Sequence, residues 1–225
     1  MKSYSPYSHR DETCFVQGES GLYYPGVRVE NVSFPLSISA VQAAVASCLA
    51  NSDQPTSVYQ SEPKSELLFQ WVDEFKLETS EFIIDPKPVY SPLLENDVNV
   101  KEKLIELTSS AVTIHSGFPV SCLLEVSDGY IPGVNVEVES WSLGLCAERV
   151  AIIRALAAGY SDFGSIHIYA PNGDFVSPCG ACRQVLAEFL PDKTAELHHG
   201  DGTLSKHLIS HLLPHGFTSA SLKNR

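Results

Sequence analysis

Apolar positions in the C-terminal half of the chain switch between two rhythms, and the switches mark out elements. Over Val100 to Val112 they fall at Leu104, Ile105, Leu107 and Ala111, the spacing of one helical face. Phe118 to Val126 reads as a strand. Ser127-Asp128-Gly129 turns the chain, and Tyr130 to Val138 returns as the second arm of a hairpin. Leu145 to Gly159 is predicted helical: Ala147, Val150, Ala151, Ile153, Ala155 and Leu156 make a broad apolar face, and Gly159 suits a helix stop. Ser165 to Ala170 is a short buried strand, closed by the turn Pro171-Asn172-Gly173-Asp174. A helix from Cys179 to Leu190 is stopped by Pro191. Ala195 to His199 is a third strand, Gly200-Asp201-Gly202 a turn, and Leu204 to Leu213 a last short helix. This order predicts an α/β domain of three layers, α/β/α, with helices on both faces of a mixed sheet.

An internal repeat extends that frame to the N-terminal half. Tyr24-Pro25-Gly26-Val27-Arg28-Val29-Glu30 aligns with Ile131-Pro132-Gly133-Val134-Asn135-Val136-Glu137, differing only at the first and fifth positions. The same register sets Ser39-Ala40-Val41 on Cys146-Ala147-Glu148. Lys64 through Phe75 then aligns with Pro178 through Phe189, and Ser91-Pro92-Leu93-Leu94 with Ser210-His211-Leu212-Leu213. Two tandem copies of one domain are expected: residues 1–98, shorter and without an opening helix, and residues 99–225, meeting near Asp97 to Val100.

Composition narrows the setting. A chain of 225 residues that is 44% hydrophobic buries a substantial core. Its net charge of -12 argues against a nucleic-acid partner, which needs a positive footprint. Met1 to Ser20 is polar, and the apolar stretch Ala40 to Ala50 is too short to span a membrane. A soluble, intracellular, cytoplasmic protein without a membrane partner is expected. Six cysteines are too few for a disulfide scaffold; Cys14, Cys48 and Cys122 read as buried free thiols.

The other three cysteines carry the chemistry. Cys146-Ala147-Glu148-Arg149 and Pro178-Cys179-Gly180-Ala181-Cys182-Arg183-Gln184 each open a predicted helix. The first helical turn brings both sulfurs of Cys-x-x-Cys to one side, and the helix N-terminus favours thiolates. Cys179 and Cys182 alone would equally make a redox pair; Cys146 shifts the balance to zinc. Three ligands leave one position for water, the catalytic arrangement, whereas a fourth from His167, His198 or His199 would close a structural site. Three thiolates leave the metal weakly acidic, and Arg149 or Arg183 would compensate. Glu148 is the candidate proton carrier, its bland alternative being a carboxylate favoured by the helix dipole. The first copy has Ser39, Ser65 and Leu68 for the thiols and Val41 for the carboxylate, so it is expected to be catalytically dead.

Cys-Ala-Glu-Arg followed by Pro-Cys-Gly-Ala-Cys-Arg-Gln resembles the cytidine deaminase family in its all-cysteine branch. Ser116-Gly117-Phe118-Pro119-Val120, Gly133 to Glu137, Asp174 to Pro178 and the tail from Gly202 to Phe217 extend the resemblance over nearly all of the second copy. It implies that Cys146, Cys179 and Cys182 bind one zinc per chain and that Glu148 shuttles the proton. It implies Phe118 against the pyrimidine ring, Asn135 and Glu137 on the ribose hydroxyls, and Phe217 near a pocket, its own or a neighbour's. The expected reaction is hydrolytic deamination of free cytidine and 2′-deoxycytidine in pyrimidine salvage. The alternatives are the same chemistry on another nucleoside or nucleotide, or a zinc-stabilised scaffold without activity. After Glu137 the chain departs from the family pattern with Val138-Glu139-Ser140-Trp141, while Glu30-Asn31-Val32-Ser33-Phe34 of the first copy keeps it. That loop is expected to complete a site across domains, within a homodimer that forms a pseudo-tetramer of four such domains.

Overall fold

Gly26 and Gly133, the glycines shared by the repeated segment, lie where a strand rests directly on a helix backbone. A Cβ at either position would stand 2.2 Å from a carbonyl oxygen, that of Ala40 or of Ala147. The computed structural model, which describes residues 1–83 and 85–222, repeats this crossing in each half. Residues 223–225, the end of the expected second copy, lie outside the described residues.

In the first half β1 (Thr13–Gly18) and β2 (Tyr23–Val27) form a hairpin under α1 (Ala40–Leu49). β3 (Pro55–Gln60), α2 (Leu68–Phe75) and β4 (Glu78–Glu81) complete a sheet of order β2-β1-β3-β4, with β3 and β4 parallel. The second half opens with α3 (Val100–Leu107), capped by the Asn99 side chain accepting from Glu102 N at 3.3 Å. The hairpin of β5 (Ser121–Val126) and β6 (Gly129–Val134) follows, then α4 (Ala147–Ala157), β7 (Ile166–Tyr169), α5 (Gly180–Phe189) and β8 (Thr194–His198). β9 (Leu204–Leu208) and α6 (Ile209–Leu212) close it, giving the order β6-β5-β7-β8-β9. The mixed sheet is covered on both faces. Ser121 Oγ donates to Leu104 O of α3 at 2.6 Å, while its neighbour Cys122 pairs with Gly133, which lies against α4. Successive strand residues face opposite ways, so α3 and α4 are on opposite sides.

Leu204 to Leu213 is not one helix. Leu204, Leu208 and Leu212 imitate helical spacing, but β8 would otherwise present an unpaired edge. Gly202, at φ +87°, folds the chain back so that Leu204 to Leu208 pairs antiparallel with β8. The hairpin arm predicted to reach Val138 ends at Val134, beyond which Val136 makes only single bridges, to Val112 and Leu145. Cys14, Cys48 and Cys122 are buried free thiols, as their apolar settings predict.

One continuous apolar core runs through both halves. The connecting segment straps their outer strands, with Val89 bridging to Tyr23 of β2 and Leu94 exchanging two 2.9 Å bonds with Tyr130 of β6. α1 is buried on every side and lies beside α4. The halves meet by reciprocal contacts. Gln42 Nε2 donates to Leu143 O at 2.8 Å, and Arg149, which aligns with Gln42, donates to Leu36 O at 3.0 Å. Val32 N donates to Glu188 at 2.7 Å, and the aligned Glu139 N donates to Glu74 at 2.8 Å. Each patch meets the counterpart of its own partner, the signature of a two-fold contact. At the end of α1, buried Arg154 breaks the pattern. It donates to Ser47 O at 2.7 Å, Ser47 Oγ at 3.1 Å and Pro132 O at 2.9 Å, and its guanidinium lies 5.2 Å from the Tyr90 ring centre. A cation there satisfies carbonyls that the helix end leaves open.

Candidate active site

Two helix N-termini converge in the second copy. Cys146 is the N-cap of α4, with Glu148 in the first turn; Cys179 is the N-cap of α5, with Cys182 one turn on. The three sulfurs lie within 4.8 Å of one another, Cys146 and Cys179 at 3.7 Å. Ligands about 2.3 Å from a tetrahedral zinc stand about 3.8 Å apart, so the sulfurs are spaced as a zinc ion would space them. The three histidines lie elsewhere. His199 takes a hydrogen bond from Val176 N at 3.0 Å and faces Ser205 Oγ, while His167 and His198 gather around Glu196. The residues present therefore fit a metal held by three thiolates.

Electrostatics follow from the convergence. Hydrogen bonds from Cys146 and Cys182, joined by the amides of Cys182 and Ala181, hold the Cys179 thiol far below its ordinary range. Sharing its proton with that thiolate pushes Cys146 up, and hydrogen bonds to Cys146 and then to Cys179 push Cys182 up. Burial, reinforced by the charge on Cys179, lifts the Glu148 carboxyl to about 6. A carboxyl poised there takes up and releases a proton near neutrality.

These groups open into a cavity of about 320 Å³, with Cys146, Cys179 and Glu148 in its wall. Phe118, Asn135 and Glu137 line it too. The last two also build the loop that presents Phe118. Glu137 accepts from the amides of His115 at 2.8 Å and Ser116 at 3.0 Å and from Ser116 Oγ. Asn135 accepts from Val120 N at 2.7 Å and donates to Phe118 O at 3.0 Å. Trp141, Phe175 and Ser177 line the cavity without having been expected there. Trp141 is 63% exposed and stands edge-on to His115; its signal was the break from the family pattern at Val138 to Trp141.

Other expected site residues lie outside the cavity of their own chain. Phe217 is exposed, its carbonyl taking a 2.7 Å bond from Gln184. Arg149 reaches Leu36 O with one terminal nitrogen, and its buried Nε has no partner among the described residues. Arg183 ties Pro178 O, Ser177 Oγ and Leu212 O together. None of residues 30–34 is in the cavity wall. Glu30 accepts from Tyr7 N, Ser8 N and Ser8 Oγ; Asn31 Oδ1 accepts from Ser33 N; Val32 N reaches Glu188. Phe34 is 84% exposed.

The corresponding place in the first copy is filled. Arg28 pairs with Glu12 at 3.1 Å, Glu30 at 2.9 Å and Glu66 at 3.0 Å. Arg10 adds a 2.6 Å pair to Glu12. Ser65 Oγ donates to Glu12 and accepts from Val41 N, both at 3.1 Å, and the Ser39 side chain caps α1 by accepting from Gln42 N. Among the described residues, no group of potential metal ligands forms there.

Two family models, each described as a cytidine and deoxycytidylate deaminase zinc-binding region, match residues 94–195 and 1–61. A cytidine deaminase of Halalkalibacterium halodurans is 35% identical over 133 residues, 58% of this chain and 100% of that protein. One of Sporosarcina psychrophila is 36% identical over 127 residues, 54% of this chain and 93% of that protein. The crystal structure of a Burkholderia pseudomallei cytidine deaminase superimposes with a TM-score of 0.50 at 34% identity, covering 52% of this chain and 96% of that one. Whole relatives thus correspond to about half of this chain. With the three sulfurs, the buried carboxyl and a family match in each half, the chain belongs to the cytidine deaminase family, as a zinc-binding hydrolase built from two tandem copies.

Proposed function

We propose that the chain hydrolyses cytidine and 2′-deoxycytidine to uridine and 2′-deoxyuridine, with release of ammonia, in pyrimidine salvage. The observation that carries this reading is the buried Glu148, in the wall of one cavity with Cys146 and Cys179, where three sulfurs converge. Cys146, Cys179 and Cys182 would hold one zinc per chain, which supplies Lewis-acid activation of water. Glu148 accepts a proton from the attacking water and passes it to ring N3; it then takes the remaining proton from the hydroxyl now on C4 and delivers it to the departing amine. Phe118 packs against the pyrimidine, and Asn135 and Glu137 meet the ribose hydroxyls from the loop they shape. Arg149, whose Nε is unpartnered among the described residues, offsets thiolate charge.

Residues 1–98 and 99–225 are the two units of this reading, the first without catalysis. Two chains pair as a homodimer, a pseudo-tetramer of four domains. The loop of Glu30, Asn31, Val32, Ser33 and Phe34, absent from its own chain's cavity wall, meets the partner's site through the exposed Phe34, as Phe217 does. No described helix is long and apolar enough to cross a membrane, and the acid composition disfavours nucleic acid. A cytoplasmic enzyme acting on free nucleosides fits both. The test is a panel of cytidine, 2′-deoxycytidine, their monophosphates and adenosine, read by ammonia release. Turnover confined to the two pyrimidine nucleosides is expected; turnover of monophosphates or adenosine alone, or of nothing, refutes it.

A further inference from the structure

On the α3 side of the second sheet, three side chains converge that deamination does not use. His167 of β7 and Glu196 of β8 are direct register partners, and His198 follows two residues on along β8, on the same face. His167 also pairs with Leu123, two residues from Ser121, whose hydroxyl bonds α3. The trio therefore lies across the sheet from Cys122 and α4. One ligand atom from each is within 4.8 Å of the others. His198 Nε2 stands 3.4 Å from His167 Nδ1, and His167 Nδ1 stands 3.5 Å from Glu196 Oε2.

Those spacings separate two explanations. Hydrogen-bonded partners would close to about 2.9–3.0 Å. Nitrogen and oxygen ligands about 2.0–2.2 Å from one tetrahedral ion stand about 3.3–3.5 Å apart. The observed distances match the second. The surroundings are arranged to hold such a set. Ser165 Oγ, held by Glu125 at 2.7 Å, lies 3.4 Å behind the ring at His167 Nε2, so Nδ1 is the nitrogen that faces His198 and Glu196. Lys206 Nζ takes Glu196 Oε1 at 2.6 Å and leaves Oε2 toward the imidazoles. The first copy has no counterpart: the same ladder register puts Tyr59 and Ser80 where His167 and Glu196 stand.

We propose that His167, Glu196 and His198 form a second divalent-metal site, free of thiolate and separate from the cysteine cluster. Two imidazoles and one carboxylate select zinc or a neighbouring borderline ion such as cobalt or nickel over magnesium or calcium. An ion there ties β7 to β8 and, bound only by the folded sheet, stabilises it. The site does not depend on what the cavity deaminates.

Cobalt(II) titration of the full chain, with zinc already in the cysteine cluster, reads the site directly. One further equivalent is expected, with visible d–d absorption and without a thiolate-to-cobalt charge-transfer band. Added zinc should raise the melting temperature. His198→Gln and Glu196→Gln should each lose both effects while keeping the parent's far-ultraviolet dichroism, and Cys179→Ser should keep the thiolate-free equivalent. Equal uptake by parent and both variants, or none by the parent at millimolar cobalt, overturns the proposal.

Discussion

The two copies share a frame and differ in how they fill its centre. Both set a glycine against a helix carbonyl, and both fold the loop before the first strand around a glutamate, Glu30 or Glu137. At the centre the second copy keeps three sulfurs, a protonatable carboxyl and an open cavity. The first places Arg28 and Arg10 among Glu12, Glu30 and Glu66. The helix caps show the cost of function. Ser39 caps α1 with its side chain, whereas Cys146, aligned with it, makes no side-chain cap on α4. Such a cap stabilises by about 0.5–2 kcal/mol, which α4 forgoes to keep a sulfur facing the cavity. The frame is therefore held by packing and turns common to both copies, and the chemistry is a removable insert.

The most severe test of that division is Glu148→Gln. It should lower kcat by on the order of 10²–10⁴-fold while metal analysis finds the cysteine zinc retained. In the first copy the corresponding blow is to stability. Arg28→Ala strands the buried Glu30 without its cation and leaves Glu12 with Arg10 alone, and should cost about 3–5 kcal/mol in urea denaturation. A loss under 1 kcal/mol (roughly the scale of a surface pair) would show that the ionic filling is incidental. Arg154→Met removes charged donors from the end of α1, and about 1.5–3 kcal/mol of stability should go with them.

Acid offers a milder probe. Burial alone would raise the Glu30 carboxyl, but hydrogen bonds from Ser8, Arg28 and the amides of Ser8 and Tyr7 outweigh it and hold the group below its ordinary value. A depressed folded value stabilises the fold above the unfolded value, about 4.3, and that contribution fades as pH falls through the folded one. The stability gap between the parent and Glu30→Gln should be widest near neutrality and shrink toward about pH 3. A gap that grows on acidification would reverse the sign of this account. Smallest for the fold is Phe34→Ala, expected to leave the chain's stability within about 0.5 kcal/mol. A raised KM for the nucleoside would mark it as part of a partner's site, and an unchanged KM would remove it from that role.

Much of this was legible in the residues. The α4 and α5 helices announce themselves through apolar spacing, Gly159 and Pro191, and the sulfurs through their place at the helix starts. The repeat exposed the first copy through positions that packing dictates, Gly26 and Gly133 above all. What stayed hidden is what adjacency in three dimensions decides. Leu204 to Leu208 carries a helical pattern and becomes a strand only because β8 needs a partner. Trp141 joins the cavity wall through a loop path that no periodicity records. Arg149 reads as a cation beside a ligand; that its guanidinium reaches Leu36 O appears only once the halves are packed together.

That reciprocal packing has a consequence for how the chain can change. In an ordinary symmetric dimer every substitution is made twice, so both sides of a contact move together. Here Gln42 and Arg149 occupy matching places on one two-fold contact and are different residues. Joining the halves in one chain frees each to vary alone: Arg154 can anchor one helix end, and one centre can abandon metal for ion pairs while its twin keeps it. Covalent linkage has turned a symmetry constraint into a pair of independently adjustable sites.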